Sequence, residues 1–235
     1  CMLAGDLYGS FVSFDHINVR LGVQTFAFAE KLDPELFLKI WRTFKINVIQ
    51  AIPAVMIPLL RAVKEMEPTF GLEKVIFAGA PLQPSDKKWM TEQLGVKRIT
   101  SIIGANDGGQ IGFQCDKLSG AFHHTIDDFN YLEVLDESGN VCESGTAGRL
   151  VLTSLKKYAY PLIRYEVGDM ARFTEGKCAC GRGGRIFEYL GRSDDTLCVG
   201  VLNLRYRDFQ AALEQEPISA LQIVAENPHG LDDLV

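Results

Sequence analysis

Long apolar runs are absent from this sequence of 235 residues. The longest run, residues 48–60, contains Gln50, Pro53 and Pro58, and at about 13 residues it is too short to cross a bilayer. The first residues also lack the basic, apolar and small-residue order of a signal peptide. We therefore predict no membrane partner and a cytoplasmic location.

Positive charge is scarce as well. The sequence has 24 Lys and Arg against 30 Asp and Glu, which gives a formal net charge of −6. Proteins that neutralise nucleic-acid phosphates need clustered Lys and Arg, and no basic stripe occurs here. We expect no nucleic-acid partner.

Three common catalytic motifs are also missing. The sequence contains no G-x-x-x-x-G-K-[ST] phosphate loop, no G-x-S-x-G nucleophile turn and no H-E-x-x-H zinc motif. These absences argue against a Walker-type NTPase, an α/β-hydrolase and a zincin-type protease.

The patterns of the first half predict an α/β fold. With 47% hydrophobic and 23% charged residues, the chain has an ordinary globular composition. Asp33 and Pro34 form a good start for a helix, and a β-rich run follows at residues 46–51. A second helical pattern begins near Val55, with Pro58 placed in its first turn. Strands and helices that alternate in this way predict βα units and a parallel sheet over residues 1–110.

The second half is richer in strand patterns. They occupy residues 131–135, 149–154, 161–165 and 170–173, separated by turns that contain Gly and Ser. We predict an antiparallel sheet or distorted barrel over residues 111–192. From residue 193 we expect the beginning of a small α+β domain (193–235), with a strand at 196–199 and a helix at 207–214.

Two segments of the second half carry a family resemblance. Residues 149–169 read RLVLTSLKKYAYPLIRYEVGD, and residues 191–195 read GRSDD. In this order they resemble the acyl-adenylate-forming enzymes, most closely the phenylacetate–CoA ligase-like branch, which use ATP to activate a carboxylic acid. The resemblance implies ATP or AMP, Mg²⁺ and coenzyme A as cofactors and an aryl or arylacetic acid as the substrate. Since relatives are commonly dimers, it also implies a homodimer.

The glycine-rich segment at residues 104–109 follows a predicted strand. Glycines there let the backbone approach a ligand, and Asp107 is a candidate to hold Mg²⁺ against phosphate oxygens, although a tight turn before a helix explains the same residues. The segment is similar to the family's Tyr-Gly-x-Thr/Ser-Glu motif. Ile103 then replaces the aromatic residue, Gly104 is kept, Asn106 replaces the hydroxyl and Asp107 replaces the metal-binding Glu.

Other residues receive roles from the same resemblance. Residues 77–82, FAGAPL, are similar to the segment that lies along the adenine ring, which places Gly79, Ala80 and Pro81 at the nucleotide. Asp169 corresponds to the carboxylate on the ribose hydroxyls. Arg164 and Arg192 are candidates to face phosphate or carboxylate, and with Asp107 they form the candidate catalytic set. Outside such a motif, single Arg and Asp residues are more often exposed or paired.

The resemblance also identifies a hinge. GRSDD corresponds to the junction between the family's large domain and its small mobile domain, with Asp194 or Asp195 as the pivot. Rotation there exchanges the adenylation and thioester-forming geometries. Residues 1–192 then form the C-terminal part of the large domain. We expect the phosphate loop to precede Cys1 and the C-terminal lysine to follow Val235, so we regard the chain as part of a longer protein.

A metal site is predicted from the cysteines. Six cysteines in a cytoplasmic-looking chain argue against disulfides. Cys178 and Cys180, together with Cys115 and one of the two histidines that follow it, would form a Cys₃His site suited to zinc. Buried thiols and a solvated loop are the alternative. Some phenylacetate–CoA ligase-like proteins hold a structural zinc in a similar pattern, and the spacing of His124 to Asp128 favours His124 as the fourth ligand.

Three hypotheses follow for the function. The first is an ATP-dependent acid–CoA ligase. The second keeps adenylation but transfers the acyl group to an amine, a carrier protein or a reductase. The third is a degenerate homologue that binds an adenylate or a partner without turnover. The departures at Ile103, Asn106 and Asp107 motivate the last two.

Overall fold

A computed structural model describes residues 1–3, 9–28, 32–193, 196–199, 202–205, 209, 211–213, 225–226 and 233–234. The helices are α1 (Gly9–Arg20), α2 (Pro34–Phe44), α3 (Pro53–Met66) and α4 (Pro84–Leu94). The first strands are β1 (Val48–Ala51), β2 (Lys74–Phe77), β3 (Arg98–Ala105), β4 (Gly109–Phe113) and β5 (Phe122–Thr125). The later strands are β6 (Asn130–Leu135), β7 (Gly148–Ser154), β8 (Tyr165–Phe173), β9 (Ile186–Arg192), β10 (Thr196–Val199), β11 (Leu202–Arg205), β12 (Ala225–Glu226) and β13 (Asp233–Leu234). None of the helices in these ranges is long and apolar enough to cross a membrane.

The parallel sheet predicted for the first half is confirmed. β1 pairs with β2 and β2 with β3, all in parallel, and helices connect them. The Asp33 side chain accepts a hydrogen bond from the Leu36 backbone N–H and caps α2, as its position before Pro34 predicts. Buried side chains of α2, α3, α4, β1 and β2 form one apolar core, against which Ile99 of β3 packs. This core holds the strand ends from which the site is built.

The predicted position of Pro58 is wrong. Helix α3 begins at Pro53, which is pre-organised for a first helical position, so Pro58 lies inside the helix. A proline there removes one backbone hydrogen bond of the helix. Burial of Met56, Leu60 and Val63 in the core offsets that loss.

Strand β3 changes partner along its length. Residues 98–101 pair in parallel with β2, whereas Ile102 to Ala105 pair antiparallel with β4, with an irregularity between Ile103 and Gly104. The glycine-rich segment is therefore the turn of a β-hairpin and does not lead into a helix. This hairpin joins the parallel half to the antiparallel half in one nine-stranded sheet of order β1-β2-β3-β4-β5-β9-β8-β7-β6.

The antiparallel half encloses a second core and curls back on itself. The core includes Ile111, Leu132, Leu150, Leu152 and Phe187, all fully buried. Asn130 on the edge strand β6 donates to the carbonyls of Gly108 (3.3 Å) and Gln110 (2.7 Å), at the β3–β4 hairpin. This side-chain bridge brings the last strand of the sheet against β4, which agrees with the predicted barrel-like shape.

One detail of the second half differs from the prediction. Residues 161–164 are not a strand, because β8 begins at Tyr165 and runs without a break through residues 170–173. Farther on, the predicted strand at 196–199 is confirmed as β10, which pairs antiparallel with β11. The predicted helix at 207–214 lies largely outside the described residues. The domain division at residue 192 stays a prediction.

Candidate functional site

The predicted adenine-binding turn follows β2 directly. Gly79 has φ +82°, in the left-handed region that favours glycine, and Ala80 and Pro81 are exposed. Because Phe77 is paired with Ser101, the turn lies beside the part of β3 that carries Ile103 and Gly104. The carboxyl ends of neighbouring parallel strands thus place both predicted loops at one edge of the sheet.

The hairpin turn presents Asp107 at this edge. The Asp107 carboxylate accepts a hydrogen bond from the Tyr165 hydroxyl at 2.9 Å, and its carbonyl accepts one from the Lys157 ammonium. A methyl group on Gly104 would approach the Gly109 carbonyl oxygen to 2.9 Å, so the tight hairpin requires glycine there. The carboxylate beside Tyr165 raises the pKa of that phenol, since a charged acceptor favours the protonated form.

Asp169 and Arg192 form a second polar group on β8 and β9. They are cross-strand partners, and Nη1 of Arg192 lies 3.5 Å from Oδ1 of Asp169 and 3.1 Å from the Val167 carbonyl oxygen. The Tyr189 hydroxyl donates to the same Oδ1 at 3.1 Å. Asp169 is buried, while the Arg192 side chain is 45% exposed. The carboxylate is held by a cation that reaches solvent.

Arg164 belongs to a different environment. Its guanidinium faces the Glu133 carboxylate at 3.3 Å, in an exposed ion pair, and its backbone has φ +47°. The structure therefore brings Asp169 and Arg192 together but orients Arg164 toward β6. Asp194 and Asp195, the predicted hinge, lie outside the described residues.

Sequence reasoning missed three residues of this region. Tyr165, Lys157 and Tyr189 donate hydrogen bonds to Asp107 or Asp169, yet none was singled out. Tyr165 stands four positions before Asp169 on the same strand, where side chains with an even separation share a face. That alternation was a usable signal. The contact of Lys157 depends on how the 155–164 connection folds, which no local pattern predicts.

The four predicted metal ligands converge. Nε2 of His124 lies 3.4 Å from the sulfurs of Cys115 and Cys180, and the sulfurs of Cys115 and Cys178 are 3.5 Å apart. All four ligand atoms lie within 4.8 Å of one another. Asp128 is exposed, and Nδ1 of His124 is buried without a hydrogen-bond partner, so Asp128 does not orient this imidazole.

The geometry of these four residues fits zinc. A tetrahedral ion with Zn–S near 2.3 Å and Zn–N near 2.0 Å separates its ligand atoms by about 3.5 to 3.8 Å. The backbone N–H groups of Lys117 and Arg182 donate to the sulfurs of Cys115 and Cys180, as expected around thiolates. Burial opposes ionisation of Cys115, but hydrogen bonds from Lys117, His124 and the other two thiols outweigh it and lower its pKa to about 6.

His123, next to the predicted ligand His124, contacts a different set of partners. Its Nδ1 must carry the proton, because it bonds the Ala121 carbonyl oxygen at 2.8 Å, and its Nε2 then accepts from the Ser101 hydroxyl. Burial lowers the pKa of His123 to about 4 and keeps the ring neutral. His123 is a satisfied core residue and contributes no metal ligand.

Asp107 also suits Mg²⁺. This ion is commonly held by one or two carboxylates together with substrate phosphates and water, so a single exposed carboxylate at a nucleotide site is a sufficient protein ligand. The predicted metal ligands and the predicted nucleotide-binding residues lie at opposite ends of β4 and β9. β4 runs from the Asp107 turn toward Cys115, and β9 runs from the Cys178–Cys180 loop to Arg192.

Comparisons with known proteins agree with the motifs. The chain is 33% identical over 169 residues to a phenylacetate–coenzyme A ligase of Thermus thermophilus, covering 69% of this chain and 37% of that protein. It is 25% identical over 134 residues to an indoleacetate–lysine synthetase of Pseudomonas savastanoi, covering 56% of this chain and 31% of that one. No protein-family model matches the chain.

A solved structure supports the fold. A 2-hydroxyisobutyryl-CoA ligase in the postadenylation state, in complex with 2-HIB-AMP, superposes with a TM-score of 0.80 at 22% identity, over 92% of this chain and 48% of that one. The present chain thus spans less than half the length of these relatives. On its motifs, its sheet and these similarities, the chain belongs to the acyl-adenylate-forming superfamily, in the phenylacetate–CoA ligase-like branch.

Proposed function

We propose that the protein activates a carboxylic acid, aryl or arylacetic, with ATP and then transfers the acyl group to coenzyme A. A carboxylate oxygen of the acid attacks the α-phosphorus in line, the bond to the bridging oxygen breaks and pyrophosphate leaves. The thiol of coenzyme A then attacks the acyl carbon and AMP leaves. Such chemistry depends mainly on positioning and on stabilisation of charge.

One observation supports this proposal most directly. The turn at Gly79 to Pro81, the hairpin at Ile103 to Asp107 and the Asp169–Arg192 pair have the residue types of a nucleotide site, in a chain 33% identical to a phenylacetate–CoA ligase. The buried Asp169 carboxylate would accept from both ribose hydroxyls. Gly79, Ala80 and Pro81 would lie along the adenine, with Ile103, Gly104 and Asn106 beside the phosphate.

The charged residues have separate roles in this proposal. Asp107 would hold Mg²⁺, which when bound neutralises phosphate charge. Arg192 is poised between Asp169 and solvent to face the α-phosphate or the acid. Arg164 would have to leave Glu133 to reach the substrate, and its catalytic role stays a prediction.

A binding measurement tests the nucleotide site. We expect AMP to bind to the full-length protein, as measured by calorimetry, and Asp169→Ala to abolish that binding. Glu166→Ala serves as the control for loss of a carboxylate, because the Glu166 side chain is 54% exposed in its ion pair with Arg149. Equal AMP affinity in the wild type and Asp169→Ala would show that Asp169 does not bind the nucleotide.

A structural zinc at Cys115, His124, Cys178 and Cys180 is part of the proposal. Its support is the convergence of four ligand atoms within 4.8 Å of one another, with three of the pairs 3.4–3.5 Å apart. Since protein ligands would occupy all four positions of the ion, the site would be structural and not catalytic, and it would stabilise the β-rich half. Elemental analysis of freshly purified protein is expected to give one equivalent of zinc, and less than about half an equivalent would contradict the assignment.

A second acceptor class has specific support. The similarity to an indoleacetate–lysine synthetase favours an amine as the alternative acceptor. Product analysis with coenzyme A and with amines, after the same acid has been activated, separates the two. Binding without turnover is the third outcome.

A hinge at Asp194 or Asp195, a homodimer and a cytoplasmic location are further parts of the proposal. The cytoplasmic location is supported by five free cysteines in the described residues.

A further inference from the structure

Two side chains to which the family resemblance gives no role meet the hairpin that carries Asp107. Tyr165 is the first residue of β8, and its hydroxyl donates to Oδ2 of Asp107 at 2.9 Å. Lys157 lies in the connection between β7 and β8, and its ammonium donates to the Asp107 carbonyl oxygen. One residue therefore holds the carboxylate and the other holds the backbone of the same residue.

The rest of the hairpin is also fixed from the same side. Leu152, the cross-strand partner of Tyr165, lies beneath Gly108, where an added methyl group would approach its Cδ1 to 3.0 Å. A methyl group on Gly109, whose φ is +74°, would lie 3.7 Å from Nζ of Lys157. The hairpin thus packs against β7 and the β7–β8 connection and has little freedom to move as a whole.

The carboxylate itself needs the additional contact. Two rotatable bonds, Cα–Cβ and Cβ–Cγ, set the orientation of an Asp carboxyl group, and an exposed carboxylate samples several orientations. A hydrogen bond to one oxygen fixes the plane of the group and leaves the other oxygen for a ligand. A hydroxyl donor achieves this without neutralising the carboxylate, whereas the Lys157 ammonium bonds only the backbone carbonyl of Asp107.

Lys157 is suited to a different task. Among the described residues, no carboxylate lies within ion-pair distance of its ammonium, and one of its three donors is used on the Asp107 carbonyl. The remaining donors and the charge lie beside the place where a phosphate would meet Asp107. A lysine there anchors the hairpin and attracts the anionic ligand that accompanies the cation.

We propose that Tyr165 and Lys157 are positioning residues that hold Asp107 ready for a divalent cation and its nucleotide. This inference rests on the proposed function and assigns separate roles to two further residues. Tyr165 orients the Asp107 carboxylate, and Lys157 anchors the hairpin. Tyr165 also starts the strand that carries Asp169, about 13 Å farther along by strand geometry. One strand thereby sets the separation between the cation ligand and the ribose ligand.

Direct metal binding tests the proposal. Mn²⁺, a paramagnetic substitute for Mg²⁺, is titrated into the full-length protein in the presence of α,β-methylene-ATP, and free Mn²⁺ is measured by electron paramagnetic resonance. Tyr165→Phe and Lys157→Met are each expected to weaken Mn²⁺ binding by about tenfold, the loss typical of one hydrogen bond to a charged group. Binding of AMP without metal should stay within about twofold of the wild type.

The chain offers matched controls. Tyr158 is 83% exposed and Lys156 is also exposed, so Tyr158→Phe and Lys156→Met make the same chemical changes one residue from Lys157. Both are expected to bind Mn²⁺ as the wild type does. Lys157→Met, at a half-buried surface position, keeps the test valid if Tyr165→Phe does not fold.

Three results would overturn or redirect the conclusion. Unchanged Mn²⁺ affinity in both Tyr165→Phe and Lys157→Met contradicts it. Equal losses of Mn²⁺ and metal-free AMP affinity contradict it as well, because they indicate general loosening of the site. A wild-type protein that binds neither AMP nor the ATP analogue refutes the proposed function instead, which keeps the two failures distinct.

Discussion

Arg192 lies directly over the backbone of Gly168, the residue before its cross-strand partner Asp169. Gly168 has φ +79°, and a methyl group there would approach Nη2 of Arg192 to 2.7 Å. The guanidinium reaches both Asp169 and the Val167 carbonyl only because no side chain separates them. The Asp169–Arg192 pair therefore requires glycine at position 168.

Replacement of this glycine should disturb both stability and nucleotide binding. We expect Gly168→Ala to cost about 1–2 kcal/mol of stability from the left-handed backbone alone. Displacement of Arg192 should also weaken AMP binding by roughly fivefold. Thermal unfolding and calorimetric titration measure the two effects.

Gly183→Ala is the control for the Gly168 substitution. Gly183 is not in the left-handed region, and an added methyl group there would meet no atom within 4 Å. The control should leave stability within about 0.5 kcal/mol. If Gly168→Ala matches it in both measurements, Gly168 does not set the position of Arg192.

Replacement of the two arginines of the candidate catalytic set should reduce the stability of the unliganded protein by different amounts. Arg192→Met removes the cation beside a buried carboxylate and is expected to cost about 1–3 kcal/mol. Arg164→Met breaks an exposed ion pair and should cost less than about 1 kcal/mol. Chemical denaturation of both variants checks the order, and the reverse order would contradict the geometry.

Removal of the metal should destabilise the β-rich half. The four ligands join the loop after β4, strand β5 and the loop before β9, so loss of the ion releases three elements at once. We expect a strong chelator, or His124→Ala, to lower the melting temperature and to eliminate bound zinc. Cys142→Ser changes a cysteine outside the cluster and should retain the full equivalent.

Gly112 on β4 should also be required for the proposed zinc site. A methyl group on Gly112 would approach the Phe187 ring to 2.7 Å and the His124 carbonyl oxygen to 2.9 Å. Gly112→Ala is therefore expected to cost about 1–3 kcal/mol through overpacking and to lower zinc occupancy. Metal analysis and thermal unfolding compare this variant with Gly183→Ala. Equal zinc content and equal melting temperature in the two variants would contradict a need for glycine between β4 and β5.

Local signals predicted much of the fold. The cap at Asp33, the helix start at Pro34 and the alternating strands each depend on residues adjacent in sequence. The change of partner along β3 is not local, because it depends on β4 returning through the Asp107 hairpin. Pro58 was misplaced because burial of α3 outweighs the proline penalty, which a propensity argument cannot weigh.

The site was partly accessible to sequence reasoning. The chemistry of thiolates and imidazole, together with the resemblance, was enough to name four residues that the fold brings together, and their role as metal ligands stays a prediction. Tyr165 and Lys157 escaped notice because their partners lie 58 and 50 residues away along the chain. Arg164 has the right residue type for a substrate cation, but its left-handed backbone turns the side chain toward Glu133.

The most direct test of the central claim is acid-dependent exchange of pyrophosphate into ATP. The full-length protein is assayed with Mg²⁺ and a panel of aryl, arylacetic and aliphatic acids, with Asp107→Ala as the matched inactive variant. We predict exchange stimulated by aryl or arylacetic acids and lost in Asp107→Ala. Absence of exchange with every acid, in a protein that still binds ATP, would contradict acid activation and favour a homologue that binds nucleotide without turnover.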